Sequence, residues 1–180
     1  RSLETALEIT EQEAQINEAQ QQKVKVSDLI KRLIEQVAFE ARSSELVDKK
    51  SGVSARLSIS AYENAISAAE RRALINNEPE TQVWLSDLIG IIPSITGKIE
   101  LVYEGEQEGP YQVAYNLLEK AIRTQFIQYF PNPETLKKKK GKDSQPADNP
   151  YKSITRWFDE GNHLNIFLES KDSDKIQLLY

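Results

Sequence analysis

Apolar positions recur at the three- and four-residue spacing of a helix face through most of this chain. Over 27–43, Leu29, Ile30, Leu33, Ile34, Val37, Ala38 and Ala41 share one face, the pattern of an amphipathic helix. Ser27 is a natural N-cap, and Asp28 suits the positive potential of a first turn. An earlier helix is expected over 2–20 from the stripe Leu3, Ala6, Leu7, Thr10 and Ala14, its Gln- and Glu-rich later part exposed. Ser43, Ser44, Ser51 and Gly52 break the pattern, so 44–56 reads as loop.

A third helix follows near 58–76. Ile59, Tyr62, Ile66, Ala69 and Ala73 form its stripe, Ser60 and Glu63 have capping-box spacing, and Asn76-Asn77-Glu78-Pro79 ends it. A short helix over about 85–92, capped near Ser86-Asp87, should stop at Pro93. Residues 97–108 fit either a strand, because Ile99, Leu101 and Tyr103 alternate, or an extended connector. A fifth helix over 110–130 has Pro110 in its first turn and the face Ala114, Leu117, Leu118, Ala121, Ile122, Phe126 and Tyr129. The second, third and fifth stripes should pack together as the core.

Composition then changes. Residues 131–150 carry four prolines and the run Lys137 to Lys140, the make-up of a solvated linker. Beyond it, 151–159 reads as a helix anchored by Ile154, Trp157 and Phe158. Leu164, Ile166 and Leu168 alternate before the turn-like Ser170-Lys171-Asp172-Ser173-Asp174, and Ile176 and Leu178 alternate after it, predicting a small hairpin. The expected fold is mainly α: a helical bundle over 1–96, a helical extension over 97–130, the linker, and a helix with a C-terminal β-hairpin over 151–180.

The 180 residues carry a net charge of −5, which disfavours nucleic acid and anionic membranes as partners. The absence of cysteine excludes disulfides, thiolate metal sites and cysteine nucleophiles, and is compatible with a cytoplasmic location. Apolar runs are too short to span a membrane, and no signal peptide is visible. The chain starts at Arg1 and holds no methionine, so it reads as a piece of a longer protein.

Candidate chemistry is sparse. The P-loop pattern fails twice, because Gly97-Lys98 is followed by Ile99 and Ile92 stands where the first glycine should be. One histidine, His163, excludes a histidine-based zinc site and reads as structural or exposed. No G-x-S-x-G elbow occurs, and the carboxylates read as solvated surface. The lysine run lacks interleaved aromatics and reads as solvated loop rather than nucleic-acid contact. Arg71 and Arg72, late in the third helix, read as ordinary partners of its negative end.

What remains is Gly52-x-Ser54-x-Arg56 at the mouth of a helix. A guanidinium offers a fork of donors matched to phosphate oxygens, and a helix N-terminus adds free N–H groups and positive potential. An arginine so placed is also often a plain surface residue. This motif resembles the sensor-2 element in the C-terminal lid of AAA+ ATPases of the magnesium-chelatase and MoxR group. Ser94-Ile95-Thr96-Gly97-Lys98-Ile99-Glu100-Leu101-Val102-Tyr103-Glu104-Gly105-Glu106 and Ile154-x-x-Trp157-Phe158-x-x-Gly161 are similar to the chelatase-I-like subgroup, and Arg1-Ser2-Leu3-Glu4 resembles the junction after the ATPase core.

The resemblance implies an AAA+ lid-type bundle packed on an upstream core that binds ATP and Mg, within a homo-oligomeric ring that remodels a client protein. It implies that Arg56 approaches the γ-phosphate, in its own subunit or across a ring interface, while Gly52 and Ser54 shape the turn. Without a P-loop, this chain alone should not hydrolyse ATP. The alternative is a stand-alone helical adaptor that binds a partner without nucleotide.

Overall fold

The computed structural model describes residues 2–138 and 149–179. They are mainly helical. Ser2 accepts a hydrogen bond from the Thr5 N–H and opens α1 (Leu3–Glu13). The single helix expected over 2–20 is in fact two. The chain leaves helical geometry at Ala14, and Asn17 starts α2 (Glu18–Lys23) with a reciprocal capping box to Gln20. Between them the Gln15 N–H donates to Glu63 at 2.8 Å, which fixes the break.

Strand β1 (Val24–Lys25) pairs in parallel with β2 (Thr81–Gln82). Helix α3 (Asp28–Ser43) starts at the expected cap, Ser27, and buries Ile30, Leu33, Ile34, Val37, Ala38 and Ala41. Helix α4 (Arg56–Asn76) begins two residues earlier than the spacing suggested, so Ser60 and Glu63 lie inside it and cap nothing. It ends where Asn77 adopts a left-handed conformation, φ 56°. Its buried face is Leu57, Ala61, Ala65, Ile66, Ala69 and Ala73. The four alanines, spaced by four, let neighbouring elements approach closely.

The segment expected as a short helix ending at Pro93 is a 3-10 helix (Leu85–Ile91) that runs into α5 (Ile92–Thr96), where proline occupies the first turn and starts the helix. Leu101 makes an isolated antiparallel bridge to Val47, and Tyr103 lies in a helix, α6 (Tyr103–Glu108). Helix α7 (Pro110–Tyr129) buries Val113, Ala114, Leu117, Leu118 and Ala121. The expected face is displaced at its end, where Gln125 is buried and Tyr129 is 53% exposed.

Stripes from α3, α4 and α7 do form the core, completed by Leu88, Ile91, Ile92 and Ile95. Helix α3 lies against α7, α4 and α1, and α5 lies against α7 and α4.

Helix α8 (Pro133–Lys138) starts the segment read as a linker, whose remainder at 139–148 lies outside the described residues. Helix α9 (Lys152–Asp159) forms as expected but buries nothing, and Ile154, Trp157 and Phe158 are 55%, 38% and 47% exposed, so they do not anchor it. The expected C-terminal hairpin is absent among the described residues. In its place 172–179 form a helix, α10 (Asp172–Leu179). Asp172 and Asp174 lie in its first turn, where acidic groups favour helix, and the stretch read as a turn is the helix start.

Candidate functional site

The loop from α3 to α4 is shaped by its own polar groups. The Asp48 carboxylate accepts from the Lys50 N–H at 2.8 Å and the Ser51 hydroxyl at 3.2 Å, and the Asp48 N–H donates to the Glu100 carbonyl at 2.8 Å. Gly52 follows with φ +69°, a region that disfavours other residues. The Ser54 hydroxyl then accepts from the Arg56 N–H at 3.2 Å, and the Ser54 carbonyl accepts from the Leu57 N–H at 3.1 Å. Gly52 and Ser54 thus shape the turn that leads into α4.

Arg56 is the first residue of the 21-residue α4, and the helix has no side-chain hydrogen bond at its N-cap, Ala55. Its side chain is exposed, and among the described residues no carboxylate pairs with it. A concavity of about 280 Å³, lined by Phe39, Arg42, Val53 and Ala55, adjoins this turn. Arg42 stacks 5.3 Å from the Phe39 ring centroid, and its Nε donates to the Val53 carbonyl at 3.4 Å. This end of the molecule thus offers two exposed guanidinium groups beside a helix N-terminus, a setting suited to an anion.

The carboxylates do not all lie on the surface. Glu35, 2% exposed, accepts from the Thr10 hydroxyl at 2.5 Å and the Ser58 hydroxyl at 2.8 Å, joining α1, α3 and α4. Glu40 accepts from Lys120, Thr124 and Gln36. Burial alone would raise its pKa, but these three donors outweigh that and hold it below the ordinary carboxylate value.

Arg71 and Arg72 part company. Arg71 is exposed and pairs with Glu169 at 2.6 Å, whereas Arg72 is 2% exposed. The Arg72 Nε and Nη2 meet both oxygens of Asp87, at 3.2 and 3.0 Å, and Nη2 also reaches the Gln82 carbonyl at 2.9 Å. Nη1 bonds to Asp172. Burial would lower the Arg72 pKa, but Asp87 and Asp172 reverse that and raise it. The sequence held a signal for this cluster: Arg72 falls seven residues after Ala65 and three after Ala69, inside the apolar stripe, where an arginine has to be paired. Its partner Asp172, a hundred residues on, carried no such signal.

Gly97 is the C-cap of α5, so the P-loop near-miss is a helix end. His163 is exposed in a segment without regular structure. Among the described residues no group of three or more His, Cys, Asp or Glu is placed to hold a metal, and no helix is long and apolar enough to cross a membrane. No family model matches the chain, and neither a curated protein nor a solved structure matches it.

Proposed function

We propose that this chain is the sensor-2 lid of a chelatase-like AAA+ ATPase. The observation that carries the reading is the turn at the head of α4: Gly52 in a left-handed conformation, Ser54 holding the Arg56 N–H, and an exposed guanidinium with no carboxylate partner among the described residues. Mg-ATP, held by an upstream core of the same protein, would supply the phosphoryl chemistry. Arg56 would hold oxygens of the terminal phosphate and offset charge that develops there, in its own subunit or across the interface of a homo-oligomeric ring. The turn fixes where that charge sits relative to the helical core, so nucleotide state would bias lid position and, through it, a client protein.

The test is ATP turnover by the protein encoded by the complete reading frame that contains this chain. Arg56→Ala should lower the rate by about 10²-fold or more, the size of losing one oriented donor to a developing charge. Helix content should be unchanged, because Arg56 is exposed. Near-normal turnover in a folded variant would sink the reading.

A second reading is favoured by one observation. Ile154, Trp157 and Phe158 form an exposed apolar face on α9, with the two aromatic rings edge to face at 4.9 Å. That face suits a nucleotide-independent adaptor that docks a partner helix or groove. Partner binding that survives Arg56→Ala and is lost in Trp157→Ser would favour it.

A further inference from the structure

The C-terminal arm, residues 168–179, is attached in an unusual way. Among residues 149–179 only Lys175 is buried, and no apolar side chain is. Leu168, Ile176, Leu178 and Leu179 are all at least 43% exposed. Hydrophobic burial therefore contributes little to docking. The arm is held by polar contacts: Glu169 meets Arg71 and, through its carbonyl, Asn76, and the largest group converges on one carboxylate.

Asp172 Oδ1 accepts from Trp84 Nε1 at 2.7 Å and bonds to Arg72 Nη1. Asp172 Oδ2 accepts from the Thr81 hydroxyl at 2.9 Å and the Gln82 N–H at 3.2 Å. Four donors thus enclose one carboxylate. Lys175, further along α10, donates to the Ser86 hydroxyl and to its own arm's Leu168 carbonyl, both at 3.1 Å.

The seat also has supports outside the arm. Arg72 is oriented by its bidentate pair with Asp87, and Asp87 also accepts from the Trp84 N–H at 2.8 Å. Thr81 and Gln82 are set by pairing with β1. Glu78 also faces the docked arm. Glu78 Oε1 accepts from the Asp172 N–H at 2.9 Å, while its Oε2 is buried without a hydrogen-bond partner. That oxygen lies 3.9 Å from Arg72 Nη1, so Glu78 braces the Arg72 guanidinium from the body of the molecule.

We infer that Arg72, Thr81, Gln82 and Trp84 form a binding seat for a carboxylate-bearing peptide segment, and that the chain's own arm is a displaceable occupant pinned there by Asp172. A seat braced by its own contacts and an attachment that buries no apolar side chain favour exchange over permanent closure. A buried ion pair of this kind contributes specificity more readily than stability.

The experiment uses the full 180-residue chain with Trp157→Phe, which leaves Trp84 as its one tryptophan. Asp172→Asn should raise amide hydrogen exchange over 168–179 about tenfold or more, leave α3, α4 and α7 protected, and shift Trp84 emission. A synthetic peptide of residues 166–179 should restore the original emission, and the same peptide with Asp172→Asn should not, even at tenfold higher concentration. Lys175→Gln, which leaves Arg72 untouched, should also raise exchange in the arm. An arm that stays protected in Asp172→Asn overturns the inference. So does loss of protection in the core or failure to fold, since the arm would then be part of the fold. Equal rescue by both peptides, or by neither, overturns the carboxylate seat.

Discussion

The Asp172 carboxylate accepts a hydrogen bond from the Trp84 indole at 2.7 Å across 88 residues of sequence. An indole N–H has one partner to give, and here it is given to a group whose charge depends on pH. Burial alone would raise the Asp172 pKa. Hydrogen bonds from Trp84 and Thr81, with the charge of Arg72, outweigh it and hold the group below the ordinary carboxylate value.

A depressed carboxylate stabilises the docked arm above its free pKa, and that contribution disappears as pH falls through the lowered value. Arg72 on α4, Glu78, Asp87 and Lys175 are the charged groups around it. Lys175 acts at the other end of the scale. Burial first, and the Arg72 charge second, push its pKa down, so docking strengthens as pH rises toward the lysine range. Trp84 emission in the Trp157→Phe chain should therefore report arm release in acid. The acid transition should be missing in Asp172→Asn.

Arg72→Met removes the charge that Asp87 and Asp172 share while keeping much of the volume. Buried carboxylates left unpaired in this way cost about 3–5 kcal/mol. The urea midpoint should fall accordingly, and the fall should exceed that of Asp172→Asn, because Asp87 is 5% exposed and Asp172 18%. Equal midpoints would show that Asp87 does not depend on Arg72.

Glu35 ties α1 to the core through Thr10, the one buried residue of that helix. Glu35→Ala strips both hydroxyls of their acceptor and should cost about 1–3 kcal/mol. Glu35→Gln retains an acceptor oxygen and should cost less. Hydrogen exchange should show α1 loosening first in the alanine variant, ahead of α3 and α7.

Gly105 has no room for a side chain. A Cβ there would lie 2.5 Å from the Leu46 carbonyl oxygen, and that carbonyl is held by the Val102 N–H at 3.1 Å. Gly105→Ala should lower stability by about 1–3 kcal/mol, as overpacking does. Thermal unfolding of the variant gives the measurement, and an unchanged midpoint would mean that the strand-like contact of Val47 with Leu101 yields freely.

Helices 28–43 and 110–129 were legible because each carries a long one-faced stripe and a recognisable start, at Ser27 and Pro110. The loop before α4 was legible too, since serine and glycine interrupt a helical pattern locally. The C-terminal hairpin misled because alternation over three or five residues does not separate a strand from a short helix whose apolar groups stay exposed. Ile176, Leu178 and Leu179 are such groups. The burial of Glu35, Glu40 and Asp87 was not legible because burial of a carboxylate depends on partners supplied by other elements, and sequence spacing on one helix does not contain them. Arg72 stood between these cases: its place in the stripe was visible, its partner was not.

Helix α4 carries Arg56 at its first residue and Arg72 sixteen positions later, with no break between them. At the rise and pitch of an α-helix the two are about 24 Å apart along the axis and about 160° apart around it. They are therefore two ends of one stiff rod, facing nearly opposite ways. The alanine-lined middle of that rod is packed into the core, so the same packing that holds the buried arginine in its seat also sets where the exposed one stands.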